Sequence, residues 1–128
     1  MKRPLPETPA DWLDEIRLAI ADAAEAAPFG AAVGEQITDA NLFHLAPLVA
    51  LKFRGLDYRD EKLRRKVTEG ALASYVANSD PEEGIDHGLE QRPLLAFVLC
   101  YVVAHLVLDL IDERQAEEIM AIAELGLE

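Results

Sequence analysis

The sequence predicts an all-α protein: a single-domain bundle, orthogonal or up-down, of five to six helices around a central apolar helix at about 93–111. Three observations predict it. Hydrophobic residues make up 51% of the chain, many of them alanine, while aromatic residues are only 6%. Alanine with Leu, Glu and Arg favours helix, because these side chains lose little rotamer freedom there. No segment alternates apolar and polar residues convincingly; apolar residues instead recur every three or four positions. Finally, the chain is almost unbroken apolar sequence over 94–111, and a helix apolar on every side belongs in the middle of a bundle. A chain of 128 residues is one domain by length. It can remove roughly two-thirds of its unfolded surface from water without disulfides or metals.

Residues 1–7 form a proline-containing tail expected to be mobile, and 8–128 form the helical domain. Thr8 caps the first helix, Pro9 suits its first position, and Asp11 places a carboxylate in the first turn. Trp12, Ile16, Ala19, Ile20, Ala23 and Ala27 follow as an apolar stripe, with Asp14, Glu15, Arg17 and Asp22 on the other face. Pro28 stops this helix, and 29–36 reads as a turn region with Gly30 and Gly34. Thr38 or Asp39 then caps NLFHLAPLVALKF. Pro47 inside that segment removes a helical hydrogen bond, at about 3 kcal/mol, so a break near Ala46 is expected. Gly55 suits the residue just past the helix end. A third helix is expected over about 60–78, with Leu63, Val67, Ala71, Ser74 and Tyr75 inward; Gly70 within it costs about 1 kcal/mol relative to Ala.

Pro93 starts the central helix. The uninterrupted apolar run ends at Ala104, short of the ~20 residues a membrane span needs, so membrane insertion is not expected. Asp112-Glu113-Arg114-Gln115 has the D-x-x-Q form of a capping box. The expected consequence is a break near Asp112 and a last helix over 113–125, with Ile119, Ile122, Ala123 and Ala116 inward. The N-terminus lacks the apolar stretch of a secretory signal, which points to the cytoplasm.

Charge narrows the partners. The chain has 12 Lys and Arg against 24 Asp and Glu, a net charge of −12, which opposes generic binding to nucleic acid or anionic lipid. The basic groups are concentrated in KFRGLDYRDEKLRRK at 52–66, and the last twenty residues hold seven acids and one Arg. The two segments can attract each other within one chain or between two. Lys52, Arg54, Arg59, Lys62, Arg65 and Lys66 are therefore the candidate interaction surface. Read alternatively, the same basic segment is the recognition part of a helix-turn-helix, or the acidic chain mimics nucleic acid.

Tyr101, His105 and Asp109 stand at four-residue spacing along the apolar helix. They are expected to form a structural polar pair in which His105 donates to Asp109, with an arginine from 54–65 completing a buried network. The competing reading is a metal or cofactor site on His105 and Asp109, helped by His44 or His87, but the Glu-x-x-His pattern of di-iron bundles is absent. No metal or cofactor is expected. Acids near His87 lack the spacing of a calcium loop. Cys100, the single cysteine, lies in the apolar run and is expected to be a small buried hydrophobe. No phosphate loop or nucleophile elbow is present. The function expected from all this is a non-enzymatic helical module that works by protein–protein contact as a homodimer or with another protein partner.

Overall fold

A computed structural model describes residues 3–26, 39–57, 59–80, 85–86 and 92–126. Within them the chain forms α1 (Pro9–Ala26), a 3₁₀ segment (Asp39–Leu45), α2 (Ala46–Phe53), α3 (Glu61–Ala77), α4 (Pro93–Val107) and α5 (Glu113–Gly126). A two-residue antiparallel ladder, β1 (Ser79–Asp80) with β2 (Ile85–Asp86), follows α3. The class is all-α, as expected. The expected turn region at 29–36 and His87 lie outside the described residues.

Local signals set most boundaries. Thr8 Oγ1 accepts from Asp11 N at 3.1 Å, opening α1. The proline at 47 falls in the first turn of α2, where its missing N–H costs nothing; the 3₁₀ segment ends just before it. Asp60 caps α3, accepting from the backbone of Lys62 at 3.1 Å and Leu63 at 3.4 Å. The capping box at 112–115 is reciprocal: Gln115 N donates to Asp112 Oδ1 at 2.8 Å, and Asp112 N donates to Gln115 Oε1 at 3.1 Å.

Two helices end in the same way on different residues. After α2, Gly55 has φ 72°, Gly55 N donates to Lys52 O, and Leu56 N donates to Leu51 O. After α4, Asp109 has φ 58°, Asp109 N donates to Leu106 O, and Leu110 N donates to His105 O. Both are six-residue reversals closed by a left-handed residue. Glycine enters that region freely; aspartate does so at a cost.

α4 is the axis of the domain. From Leu95 to His105 every residue except Leu99 is buried or nearly so, and α1, α2, α3, α5 and the 3₁₀ segment all pack against it. Gly70 makes the α3 contact possible. A Cβ there would stand 2.6 Å from Val107 Cγ2, inside van der Waals contact with a side chain that is stiff at χ1. α1 contributes Trp12, Leu13, Ile16, Ala19 and Ala23, and α5 contributes Ala116, Ile119 and Ala123. Ile122 is only partly buried. The core is thus one continuous cluster with α4 inside it.

The cap of α4 generates a prediction. Asp109→Gly keeps the reversal and relieves the left-handed penalty, so it stabilises the protein by about 0.5–1 kcal/mol. Urea denaturation measures this; a loss of stability would mean the aspartate side chain is needed at the cap.

Candidate functional site

The buried polar groups of the described residues meet at one place, where Tyr101, His105 and an arginine stand as expected and Glu15 takes the part expected of Asp109. Glu15 of α1 is 3% exposed and Arg54 at the end of α2 is 5% exposed. Arg54 Nη2 donates to Glu15 Oε1, and Tyr101 Oη of α4 donates to Glu15 Oε2 at 2.7 Å. Arg3 Nε reaches Oε1 from outside, at 3.4 Å. Trp12 closes the cluster: the Arg54 guanidinium lies 5.8 Å from its ring centroid, a cation–π distance. The Trp12 ring also meets His105 edge to face at 4.9 Å.

Sequence expectations change here. Glu15 does not sit on the polar face of α1. It stands three residues after Trp12 and four before Ala19, inside the apolar stripe, and that spacing was the signal for its burial. Arg54 does not belong to the interaction surface; α2 ends there, and the side chain turns inward onto Glu15. The arginine expected to complete a buried network does so, but through Glu15 and Tyr101. From the tail, Arg3 N donates to Phe53 O at 2.6 Å.

A further change concerns Asp109, which is exposed. The helix stops at Val107, and at the left-handed position the Asp109 side chain leaves the face that carries Tyr101 and His105. His105 Nδ1 lies 2.9 Å from Tyr101 O. A carbonyl only accepts, so Nδ1 carries the proton and Nε2 holds the lone pair, with no hydrogen-bond partner. Burial pushes the His105 pKa down to about 4; the nearby Arg54 charge acts the same way, and the backbone bond to Tyr101 and the Glu15 charge act against it. Near neutral pH His105 is therefore a neutral imidazole. Tyr101 is held well above the ordinary phenol range, first by burial and then by the Glu15 charge.

His44 is exposed and stacks on Phe43 at 4.3 Å, and Phe43 stacks in turn on Tyr75. His44, His105 and Asp109 therefore occupy separate environments. Among the described residues no three His, Cys, Asp or Glu side chains are grouped as metal ligands. No helix among them is long and apolar enough to cross a membrane.

The surface carries the remaining candidates. Lys62, Arg65 and Lys66 are exposed on α3 together with Glu61 and Glu69, and Arg65 pairs with Glu61 at 3.4 Å. Lys52 pairs with Asp22 at 3.1 Å; Arg59 is exposed. Among the described residues no ion pair joins the basic segment to the acidic α5. Between α4 and α5 runs an open groove of about 320 Å³. Leu99, Val102, Leu106 and Met120 contribute its apolar floor, and Glu117 and Glu124 stand on its rim. No protein-family model matches this chain, and neither a characterised sequence nor a solved structure matches it.

The buried cluster yields two predictions. Glu15→Gln leaves the Arg54 charge buried and unpaired, at a cost of about 3–5 kcal/mol, and Arg54→Met strands Glu15 to a similar extent. The double variant Glu15→Gln/Arg54→Met costs clearly less than the sum in a urea-denaturation cycle, whereas additive losses would mean the two charges are uncoupled. The second concerns pH. His105 takes up its proton near 6.5 when unfolded but only near 4 when folded. Between those values the unfolded state holds more protons, so stability falls with falling pH, by about 2 kcal/mol from pH 7 to pH 5. His105→Phe removes this part of the pH dependence; an unchanged slope would show that His105 does not supply it.

Proposed function

We propose that the chain is a non-enzymatic helical module that works through protein–protein contact, and that it associates with itself as a homodimer in the cytoplasm. The α4–α5 groove is the observation that carries this reading. α4 is apolar on all sides, yet between α3 and α5 part of its surface faces water through Leu99 and Leu106. An apolar groove rimmed by carboxylates is the kind of surface that receives an amphipathic helix. The buried Glu15–Arg54–Tyr101 cluster favours a structural part over a chemical one, since both carboxylate oxygens of Glu15 are taken by Arg54, Arg3 and Tyr101, although Arg54 Nε and Nη1 make no hydrogen bond.

Two features support a second copy as partner. Among the described residues no ion pair joins the basic half of α3 to the acidic α5, and opposite charges steer two copies together. A two-fold arrangement lets each copy supply both halves. Sedimentation velocity from low to high micromolar protein tests this: a dimer that weakens with added salt is expected, and a monomer at every concentration would overturn the reading.

A further inference from the structure

The groove has a matching piece elsewhere on the same chain. Leu72 and Val76 of α3 are 47% and 59% exposed. They are four residues apart, one turn along the helix, and Arg65 lies on the same outward stripe. This stripe is opposite the side that carries Val67 and Ala71 into the core. Two neighbouring aliphatic side chains therefore face water on a helix whose other half is basic.

We infer that the occupant of the α4–α5 groove is α3 of a second copy, seated through Leu72 and Val76 on the apolar floor, with its basic half, Lys66 foremost and Lys62 beyond it, lying toward the Glu117 and Glu124 rim. The inference rests on the self-association reading and adds the surfaces and their register. Charge complementarity selects this occupant. Lys62, Lys66, Glu117 and Glu124 are all exposed, and none makes an ion pair among the described residues. The α3 half carries Lys62 and Lys66 with one exposed carboxylate, Glu69, so its charge is net positive, and the groove carries Glu117 and Glu124.

The lengths agree as well. Leu72 to Val76 covers about 6 Å of helix, and the floor from Leu99 to Leu106 covers about 10 Å, at 1.5 Å per residue. The middle of the Leu72–Val76 pair stands about 12 Å from Lys66 on the same scale, and Glu117 and Glu124 lie about 5–6 Å to either side of Met120. Extended side chains let Lys66 reach the nearer carboxylate, and Lys62, about 6 Å further along α3, acts on the carboxylates through its charge at longer range. Because stripe and groove are different surfaces, a two-fold axis makes the contact twice, once in each direction.

The test is a charge exchange read by sedimentation velocity and fluorescence-detected mixing, with circular dichroism as the check on folding. Lys62→Glu/Lys66→Glu puts like charges in both contacts of a dimer, and so does Glu117→Lys/Glu124→Lys. Each variant alone is expected to dimerise at least about tenfold more weakly. An equimolar mixture restores opposite charges in both contacts of the mixed dimer and is expected to recover the wild-type constant. Leu72→Asp/Val76→Asp is expected to weaken the dimer by more than about a hundredfold, and Leu125→Asp, at a site 86% exposed on α5, is expected to leave it unchanged. If wild type is dimeric but neither charge variant weakens it, or the mixture does not recover, this interface is wrong while self-association stands. Wild type that stays monomeric overturns both. The charge variants decide the matter even where the Leu72/Val76 variant does not fold.

Discussion

Glu15 and Arg54 sit where a charge is least tolerated, and the packing around them follows from that. Two charges leave water together, at several kcal/mol each, and only close geometry with further hydrogen bonds offsets the loss. Two further hydrogen bonds reach the carboxylate and an aromatic face meets the guanidinium, whose Nε and Nη1 make no hydrogen bond. Tyr101 takes one carboxylate oxygen from α4; Arg3 reaches the other from the N-terminal tail; the Trp12 ring faces the guanidinium. The pair therefore joins α1, the end of α2 and α4 at one point, and the position of each helix is tied to the other two. Nonspecific apolar packing would accept several arrangements of such helices; a two-oxygen, one-guanidinium contact accepts few.

The reversal after α2 is what brings Arg54 to this point. Gly55 turns the chain back within one residue, and the side chain just before it is thereby directed against α1 instead of continuing around the helix. The same reversal after α4 directs Asp109 outward. One backbone device thus buries a charge in one place and expels one in the other, and the difference is the direction from which neighbouring helices approach.

The legible part of the fold was the part encoded by neighbours in sequence. The threonine cap, the proline start of α2 and the D-x-x-Q box each act over three or four residues, and each boundary lies where those signals put it. α4 was legible because eleven consecutive apolar residues admit few other roles. The candidate site was largely not legible, because its members are far apart in sequence: Tyr101 is 86 residues from Glu15, and Arg54 is 39 from it. Within a segment that holds seven basic residues, 52–66, nothing local distinguishes Arg54 from Lys52. His105 and Asp109 looked paired only on the assumption of a helix continuing past Val107, and a left-handed aspartate is a weaker sequence signal than a glycine. Gly70 was visible as an anomaly, but the Val107 methyl that explains it comes from another helix.

Cys100 lies at the α3–α4 contact that Gly70 permits. Its thiol is 1% exposed, its sulfur lies 3.9 Å from Ala71 O, and burial raises its pKa to about 12. Near neutral pH the folded protein thus offers roughly 10⁵-fold less thiolate than thiol. An alkylating reagent can react at an appreciable rate only after α3 has parted from α4. The chain carries no second cysteine, so the rate of alkylation would time that one opening, without any label being introduced.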